Sequence, residues 1–361
     1  MKKQFVYFDD RYVRKSERVL FVDGICPGVV TNVDLELSHW VPNNTPIQYK
    51  SDTSTEICQK FIDSEQSEIF GQVSSNHFDT DGLLSVFTLL YPELAISHRS
   101  LIEKVSHMGD FGAWQEREAS IFYETLANLR SHWKQEGLSS SECFQIGLKT
   151  VYELLDENQS TQYSSNNKFD QILIQKNRIE SGDIFRDEIN SRLSIYSWTL
   201  SQAESYGLNP FYSSGFDRGL CYEDMLPSQV RNFFDREKLC LVAVKSSEGM
   251  YYDLLIPEYL WAETKNLWIP DGIKHADQTN LFDWKRQTSN SQSFNLYKVC
   301  QTFNLLDSYL GQWILADNFN AFKTIPGRKF PVILSHIYKG QMAPSSLSID
   351  QVTELLSKIS F

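Results

Sequence analysis

Residues 75–85 read Ser-Asn-His-Phe-Asp-Thr-Asp-Gly-Leu-Leu-Ser, which sets one imidazole, His77, and two carboxylates, Asp79 and Asp81, just ahead of an apolar run. A strand expected over 69–73 feeds this corner, and a buried helix turn expected over 86–90 leaves it. Alternate residues of an extended segment face the same way, so His77, Asp79 and Asp81 are expected to converge on one point. Such a set suits a divalent cation, with Gly82 letting the chain turn sharply into the helix. The same string also suits an acidic turn that caps a helix, because Asp before Gly is ordinary turn chemistry. A calcium loop is the weaker reading, since the position for its bidentate Glu holds an apolar residue here.

Other carboxylates and histidines fall at expected element ends. Residues 19–22, Val-Leu-Phe-Val, read as a fully buried strand that ends in Asp23-Gly24, at the edge where open α/β sheets carry their sites. A second strand is expected over 29–37, weakened by Asn32 and Asp34. It leads into Ser38-His39-Trp40 and a turn-rich loop with Pro42, Asn43, Asn44 and Pro46. Asp52-Thr53-Ser54-Thr55-Glu56 opens a helix, with Thr53 and Glu56 forming a capping box. The crowding of Asp52, Ser54 and Thr55 at that same helix start also favours a phosphate. Leu101, Ile102, Val105 and Met108 mark a helix expected to stop at Gly109. Asp110 then stands just past a helix end, where the dipole disfavours a carboxylate and a metal or basic partner would relieve the cost. His98, His107 and His132 read as surface or packing residues, with His107 in reserve because Asp110 is near.

These elements need a frame, and the chain is long enough to supply one. Its 361 residues suit two domains of roughly 100 to 200 residues each. The first is expected over 1–156: an α/β domain with a mainly parallel sheet flanked by helices and a helical extension over 114–136 and 141–155. Residues 157–168 are polar and read as a linker. A smaller α+β domain is expected over 169–361, with a hairpin over 239–244 and 250–256 and a closing helix capped by Ser348 and Gln351. Trp261, Trp268, Trp284 and Trp313 read as core bulk. Lys plus Arg number 34 against 46 Asp plus Glu, a net charge of −12, which gives no field favouring long duplex nucleic acid. The six cysteines form no C-x-x-C pair and suit reduced thiols in a cytoplasmic protein. No apolar run approaches the roughly 18 residues of a membrane span, so no membrane association is expected.

In combination the strings are more specific. His77-Phe78-Asp79-Thr80-Asp81-Gly82 resembles the first motif of the DHH phosphoesterase superfamily, which includes exonucleases, oligoribonucleases and manganese-dependent pyrophosphatases. Ser38-His39-Trp40 resembles a degenerate D-H-H triplet, Asp52 to Glu56 the small-hydroxyl helix start that follows it, and Gly109-Asp110 the last motif of that catalytic domain. The first motif here follows the triplet instead of preceding it, so the resemblance is to a permuted arrangement. Ser38 and Trp40 replace the triplet's Asp and second His. The likeness covers about residues 19 to 112, and the glycine-rich C-terminal motif of the superfamily is not evident. The chain also resembles a bacterial domain family carrying L-S-H-W, D-T-S-T-E and H-F-D-x-D-G strings, a likeness that supplies no activity.

The DHH resemblance implies a ligand set of His77, Asp79, Asp81, His39 and Asp110, with Asp23 as the bridging aspartate in preference to Asp34. Asp23, His39, Asp79 and Asp81 would be the catalytic groups, with Asn43, Asn44, Ser54 and Arg218 as substrate contacts. For Arg218 and Arg328 a surface role is the more ordinary reading. One His with several carboxylates suits Mn²⁺ or Mg²⁺, and the family's chemistry implies two ions about 3.5 to 4 Å apart. The expectation is hydrolysis of a phosphoester or phosphoanhydride bond in a small phosphorylated compound or short oligonucleotide. The alternative is a metal- or nucleotide-binding module that keeps the fold without turnover, motivated by Ser38 and Trp40.

Overall fold

The computed structural model describes residues 3–26, 28–156, 168–208, 211–213, 218–220, 222–257, 262–265, 296–316, 325, 328 and 331–359. The chain divides into two units, Met1–Gln171 with Ala262–Trp268, and Ile172–Trp261 with Ile269–Phe361. The linker expected over 157–168 falls, up to residue 167, outside the described residues.

The first unit is mixed α/β. Strands β1 (Gln4–Phe5), β2 (Val19–Val22), β3 (Leu35–Leu37) and β4 (Gln72–Ser74) form a sheet in the order β1-β4-β2-β3, with every neighbouring pair parallel. All four residues of β2 are buried. Its alternating side chains enter two different apolar clusters, Leu20 and Val22 on one side and Val19 and Phe21 on the other. Burial on both faces is why this strand is an unbroken apolar run. The larger cluster is filled from helices α1 (Ser54–Ile62), α2 (Thr80–Leu90), α3 (Pro92–Ser97), α4 (Arg99–Phe111), α5 (Arg117–Gln135) and α6 (Ser140–Leu155). The smaller is packed by Phe8, Tyr12, Val29 and Val30.

Two local expectations are corrected. The strand expected over 29–37 shrinks to its last three residues because Asp34 closes a turn, taking the Thr31 N–H at 2.8 Å and the Val19 N–H at 2.9 Å. Helix α4 runs through Gly109 and ends at Gly112, whose φ of 57° provides the left-handed cap. Asp110 therefore lies in the last turn of α4, not past it. Gly109 serves a different need: a Cβ there would stand 2.7 Å from the Cβ of Thr80. Its hydrogen lets α4 press against the first residue of α2, which brings Asp110 up to Asp81.

The second unit contains most of α7 (Lys168–Glu180), then β5 (Phe185–Asn190), β6 (Leu193–Thr199), α8 (Leu200–Ser205), β7 (Phe211–Ser213), β8 (Arg218–Leu220), α9 (Tyr222–Met225), α10 (Ser228–Asp235), β9 (Leu239–Lys245), β10 (Met250–Leu255), α11 (Leu296–Leu306), β11 (Gln312–Leu315), β12 (Val332–Tyr338), β13 (Gln341–Met342) and α12 (Ile349–Ser357). Its main sheet has the order β11-β12-β10-β9-β6-β5, antiparallel except for β6 beside β9. The expected β9–β10 hairpin pairs Met250 with Lys245. The capping box of Ser348 and Gln351 is formed. Trp313 is core bulk, stacked near Phe303 and Tyr252, while Trp261, Trp268 and Trp284 lie outside the described residues. Among the described residues no helix is long and apolar enough to cross a membrane.

The Gly109 contact yields a test. Ala is a better helix former than Gly by about 1 kcal/mol, but the added methyl overpacks the Thr80 crossing at a cost of about 1 to 3 kcal/mol. Gly109→Ala is therefore expected to be neutral to destabilising in urea unfolding, against the gain an open helical site would give.

Candidate metal centre

Strands β2, β3 and β4 are neighbours, and each delivers chemistry at its C-terminal end: Asp23 after β2, His39 after β3 and the His77 corner after β4. Asp23 takes a left-handed conformation, φ 44°, followed by Gly24 at φ 85°. A non-glycine residue there costs about 1 kcal/mol or more, a form of strain that clusters at functional sites.

His39, Asp23, Asp81 and Asp110 meet in the interior, with side chains at most 2% exposed. His39 Nε2 lies 3.6 Å from Asp23 Oδ1, 3.6 Å from Asp81 Oδ2 and 3.2 Å from Asp110 Oδ2. The other ring nitrogen, Nδ1, is 2.5 Å from the Asp52 carbonyl oxygen. A carbonyl only accepts, so Nδ1 carries the hydrogen and Nε2 is turned toward the carboxylates.

The sequence around the cluster supplies its supports. Asp81 Oδ2 accepts the Ser54 N–H at 2.8 Å and Oδ1 accepts the Thr55 N–H at 3.0 Å, so this carboxylate caps the positive end of α1. Asp23 Oδ1 accepts the Trp40 indole N–H at 2.8 Å and the Ser54 hydroxyl at 3.1 Å. Its Oδ2 packs against Gly82, where a Cβ would stand 2.8 Å away. The Thr53–Glu56 capping box is formed. Residues 262–265 brace the same loops. The Glu263 N–H donates to the His39 carbonyl at 2.7 Å and the Lys265 N–H to Asp52 Oδ1 at 2.5 Å.

The electrostatics divide the acids into two groups. Asp23 and Asp110 are pushed well above the usual carboxylate range, by burial first and then by neighbouring carboxylates. Asp81 is raised by burial as well, against the pull of His39 and Thr55. Asp79 is the opposite case. Burial would raise it, but His77, the Gly82 N–H and the charge of Arg130 together hold it below the usual range. In return Asp79 outweighs the burial of His77 and pushes that imidazole up to about 9.

The donor set fits a divalent cation. Asp23 Oδ2 and Asp110 Oδ2 are buried and accept no hydrogen bond among the described residues, although a buried carboxylate oxygen without a donor is costly. One positive charge among these side chains, on the imidazole, would leave several carboxylates unbalanced, whereas a divalent ion balances them. Asp23, His39 and Asp81 place ligand atoms within 4.8 Å of one another. The His39 arrangement, one nitrogen on a backbone carbonyl and the other toward carboxylates, is the usual setting of a metal-binding imidazole.

A family model described as "Family of unknown function (DUF6687)" matches residues 1–236. The chain belongs to that family. The DUF6687 match takes in every residue of the cluster and continues through β5, β6 and α10. No curated protein and no solved structure matches the chain.

Of the residues singled out in the sequence, Asp23, His39, Asp81, Asp110 and Ser54 come together. The extended-corner expectation for His77, Asp79 and Asp81 is corrected, because α2 already begins at Thr80 and period-two geometry stops there. Asp79 is the N-cap of α2, with Oδ1 on the Gly82 N–H at 2.8 Å and Oδ2 on His77 Nε2 at 2.9 Å. His77 and Asp79 thus form a partly exposed pair beside the buried cluster. Asn43 and Asn44 are spent elsewhere, the first on the Trp40 carbonyl and Glu263, the second on Glu36. The Arg218 side chain lies outside the described atoms. Arg328 is a buried partner of Asp253 within the second unit, not a surface residue. Asp34 is engaged by Arg14 and backbone N–H groups. Asp52, Glu56 and His107 also cluster, but Glu56 Oε2 takes the Asp52 and Thr53 N–H groups, each at 3.0 Å, and His107 lies 3.3 Å from it, a satisfied helix cap. His132 pairs with Glu136 on the surface, and His98 joins α3 to α4.

Sequence reasoning passed over Arg130 on α5, whose charge lowers both Asp79 and Asp110. Trp133, one turn further on, packs against Phe78, with ring centroids 6.4 Å apart. The spacing of Arg130 from an apolar residue of the helix stripe was the available signal.

An acid with a raised native pKa binds its proton more tightly in the folded than in the unfolded chain. Its effect on stability is absent below the unfolded value of about 4 and becomes increasingly unfavourable as pH rises toward the folded value. Chelator-treated protein should therefore lose stability progressively as pH rises above about 4, measured by urea unfolding. Asp110→Asn, which cannot ionise, should flatten that slope.

Proposed function

We propose that the first unit is a metal-dependent hydrolase of phosphoester or phosphoanhydride bonds, acting on a small phosphorylated compound or a short oligonucleotide with Mn²⁺ or Mg²⁺. The reading keeps the permuted likeness to the DHH phosphoesterases, with one ion or a pair held by Asp23, His39, Asp81 and Asp110. The observation that carries it is the convergence of these four side chains in the interior, two of them with carboxylate oxygens that no donor reaches among the described residues.

Bound there, a divalent ion supplies Lewis-acid activation of a phosphoryl oxygen and of the attacking water. The chain's own residues do the rest. Trp40 and Ser54 fix the orientation of Asp23 through its Oδ1. The N-terminus of α1 keeps Asp81 oriented and favours its anionic form. His77 and Asp79 stand at the exposed edge, the side from which a substrate can approach. The imidazole holds a proton shared with Asp79, available to a leaving oxygen.

The decisive experiment strips the protein with chelator and returns Mn²⁺. Uptake should be near stoichiometric and should raise stability by about 2.7 kcal/mol at a hundredfold excess over Kd. Turnover of a generic phosphodiester or of pyrophosphate should appear with the metal. Asp81→Asn should lose both uptake and turnover, and absence of metal uptake by the wild type would sink the proposal.

A second reading, a metal- or nucleotide-binding module without turnover, draws on one contact: the Trp40 indole N–H occupies Asp23 Oδ1. Nucleotide binding by the metal-loaded protein, with no hydrolysis across a broad phosphoester panel, would favour it. Metal-dependent turnover would exclude it.

A further inference from the structure

The acidic centre has a difficulty as a place for phosphate. Asp23, Asp79, Asp81 and Asp110 crowd one region, and an anionic substrate approaching them is repelled until positive charge offsets theirs. A site for such a substrate therefore needs a cation that is not already committed to a carboxylate. Arg328 does not qualify, being paired with Asp253 in the other unit.

Arg130 does. Helix α5 packs against both α2 and α4, the helices that carry Asp79 with Asp81 and Asp110. Its position is fixed by Trp133, which is buried and packs against Phe78, the residue between His77 and Asp79 on the corner. Arg130 precedes Trp133 by three residues, so it lies on the adjoining part of the same helix face. Tyr123 lies seven residues before Arg130, two turns along one line of the helix. Tyr123 packs against the apolar cluster that α2, α4 and α5 fill together, and the charge of Arg130 acts on Asp79, Asp110 and His77. Arg130 is only partly buried, and among the described residues no carboxylate comes into ion-pair contact with it. An arginine held beside carboxylates yet not paired with one is free to take a second anion between its planar fork and the metal side.

We propose that Arg130, assisted by the Tyr123 hydroxyl, is the phosphate-gripping side of this site, taking two non-bridging oxygens of the substrate's phosphate in a bidentate pair. This rests on the hydrolase reading for the identity of the substrate, but not for the binding itself. It places the phosphate contact on α5 of the first unit and so removes the need for an arginine from the second.

The test is equilibrium binding, read by calorimetry with inorganic phosphate as the probe, on wild-type, R130Q, R130K and Y123F full-length protein with and without Mn²⁺. R130Q should weaken phosphate binding about 10- to 100-fold, the loss of a charge-assisted pair. R130K, which keeps the charge without the fork, should weaken it less, and it carries the test if R130Q fails to fold. Y123F should weaken binding by a smaller factor. Phosphate affinity unchanged in the arginine variants, or no phosphate binding by the wild type at millimolar concentration, overturns the inference. Wild-type protein that takes up no Mn²⁺ yet binds phosphate through Arg130 sinks the hydrolase reading and leaves this inference standing.

Discussion

Burying like charges together is the constraint on which the first unit depends. Two unit charges 4 Å apart repel by about 4 kcal/mol at an effective dielectric of 20, and Asp23, Asp81 and Asp110 face one imidazole with almost no solvent between them. A fold tolerates that only by bringing opposite charge or donors to each oxygen. Asp81 receives two backbone N–H groups and the dipole of α1, and Asp23 receives an indole and a hydroxyl on one oxygen. Among the described residues no donor serves Asp23 Oδ2, which lies against Gly82, or Asp110 Oδ2, which lies 3.2 Å from His39 Nε2.

The frame explains how so many acids reach one place. Parallel strands end on the same edge, so Asp23, His39 and the His77 corner arrive together with no long excursion of the chain. Two glycines then set the remaining approach. Gly82 allows Asp23 to lie against the start of α2, and Gly109 allows α4 to lie against Thr80. A side chain at either position would move one carboxylate away from the others. Residues 262–265 complete the frame from far along the chain, holding the His39 carbonyl and the Asp52 carboxylate in place.

Much of this was legible in the sequence where a residue's position followed from its own element. Asp23 ends an apolar run that is a strand, and Thr53 with Glu56 is a capping box, so both could be placed from neighbours a few residues away. His39 and Asp110 were legible as candidates for the same reason. What failed depended on where one period gives way to another. His77, Asp79 and Asp81 look like an extended triplet, but the helix starts at Thr80 and sends Asp79 and Asp81 in different directions. Gly109 looks like a helix stop because nothing local reveals that Thr80 presses on it, whereas Gly112 does the capping. Residues 262–265 act only through tertiary contacts, and no spacing within their own segment announces them.

The contrast between Asp79 and its neighbours has a chemical consequence on the proposed reading. Asp79 is stabilised as an anion by His77 and the Gly82 N–H, while Asp23 and Asp110 are pushed toward their neutral forms by burial first and then by the charges of Asp79 and Asp81. In the absence of a cation the buried acids relieve their repulsion by holding protons, which a metal must displace in order to bind. Uptake of the ion and release of protons are then a single event in the interior, while Asp79 at the edge is already ionised. The two aspartates of one D-x-D string are thereby divided between roles, one belonging to the buried centre through α1 and the other to the accessible edge through His77. That division comes from the onset of α2 between them, since a helix start turns successive side chains through about 100° each instead of alternating them.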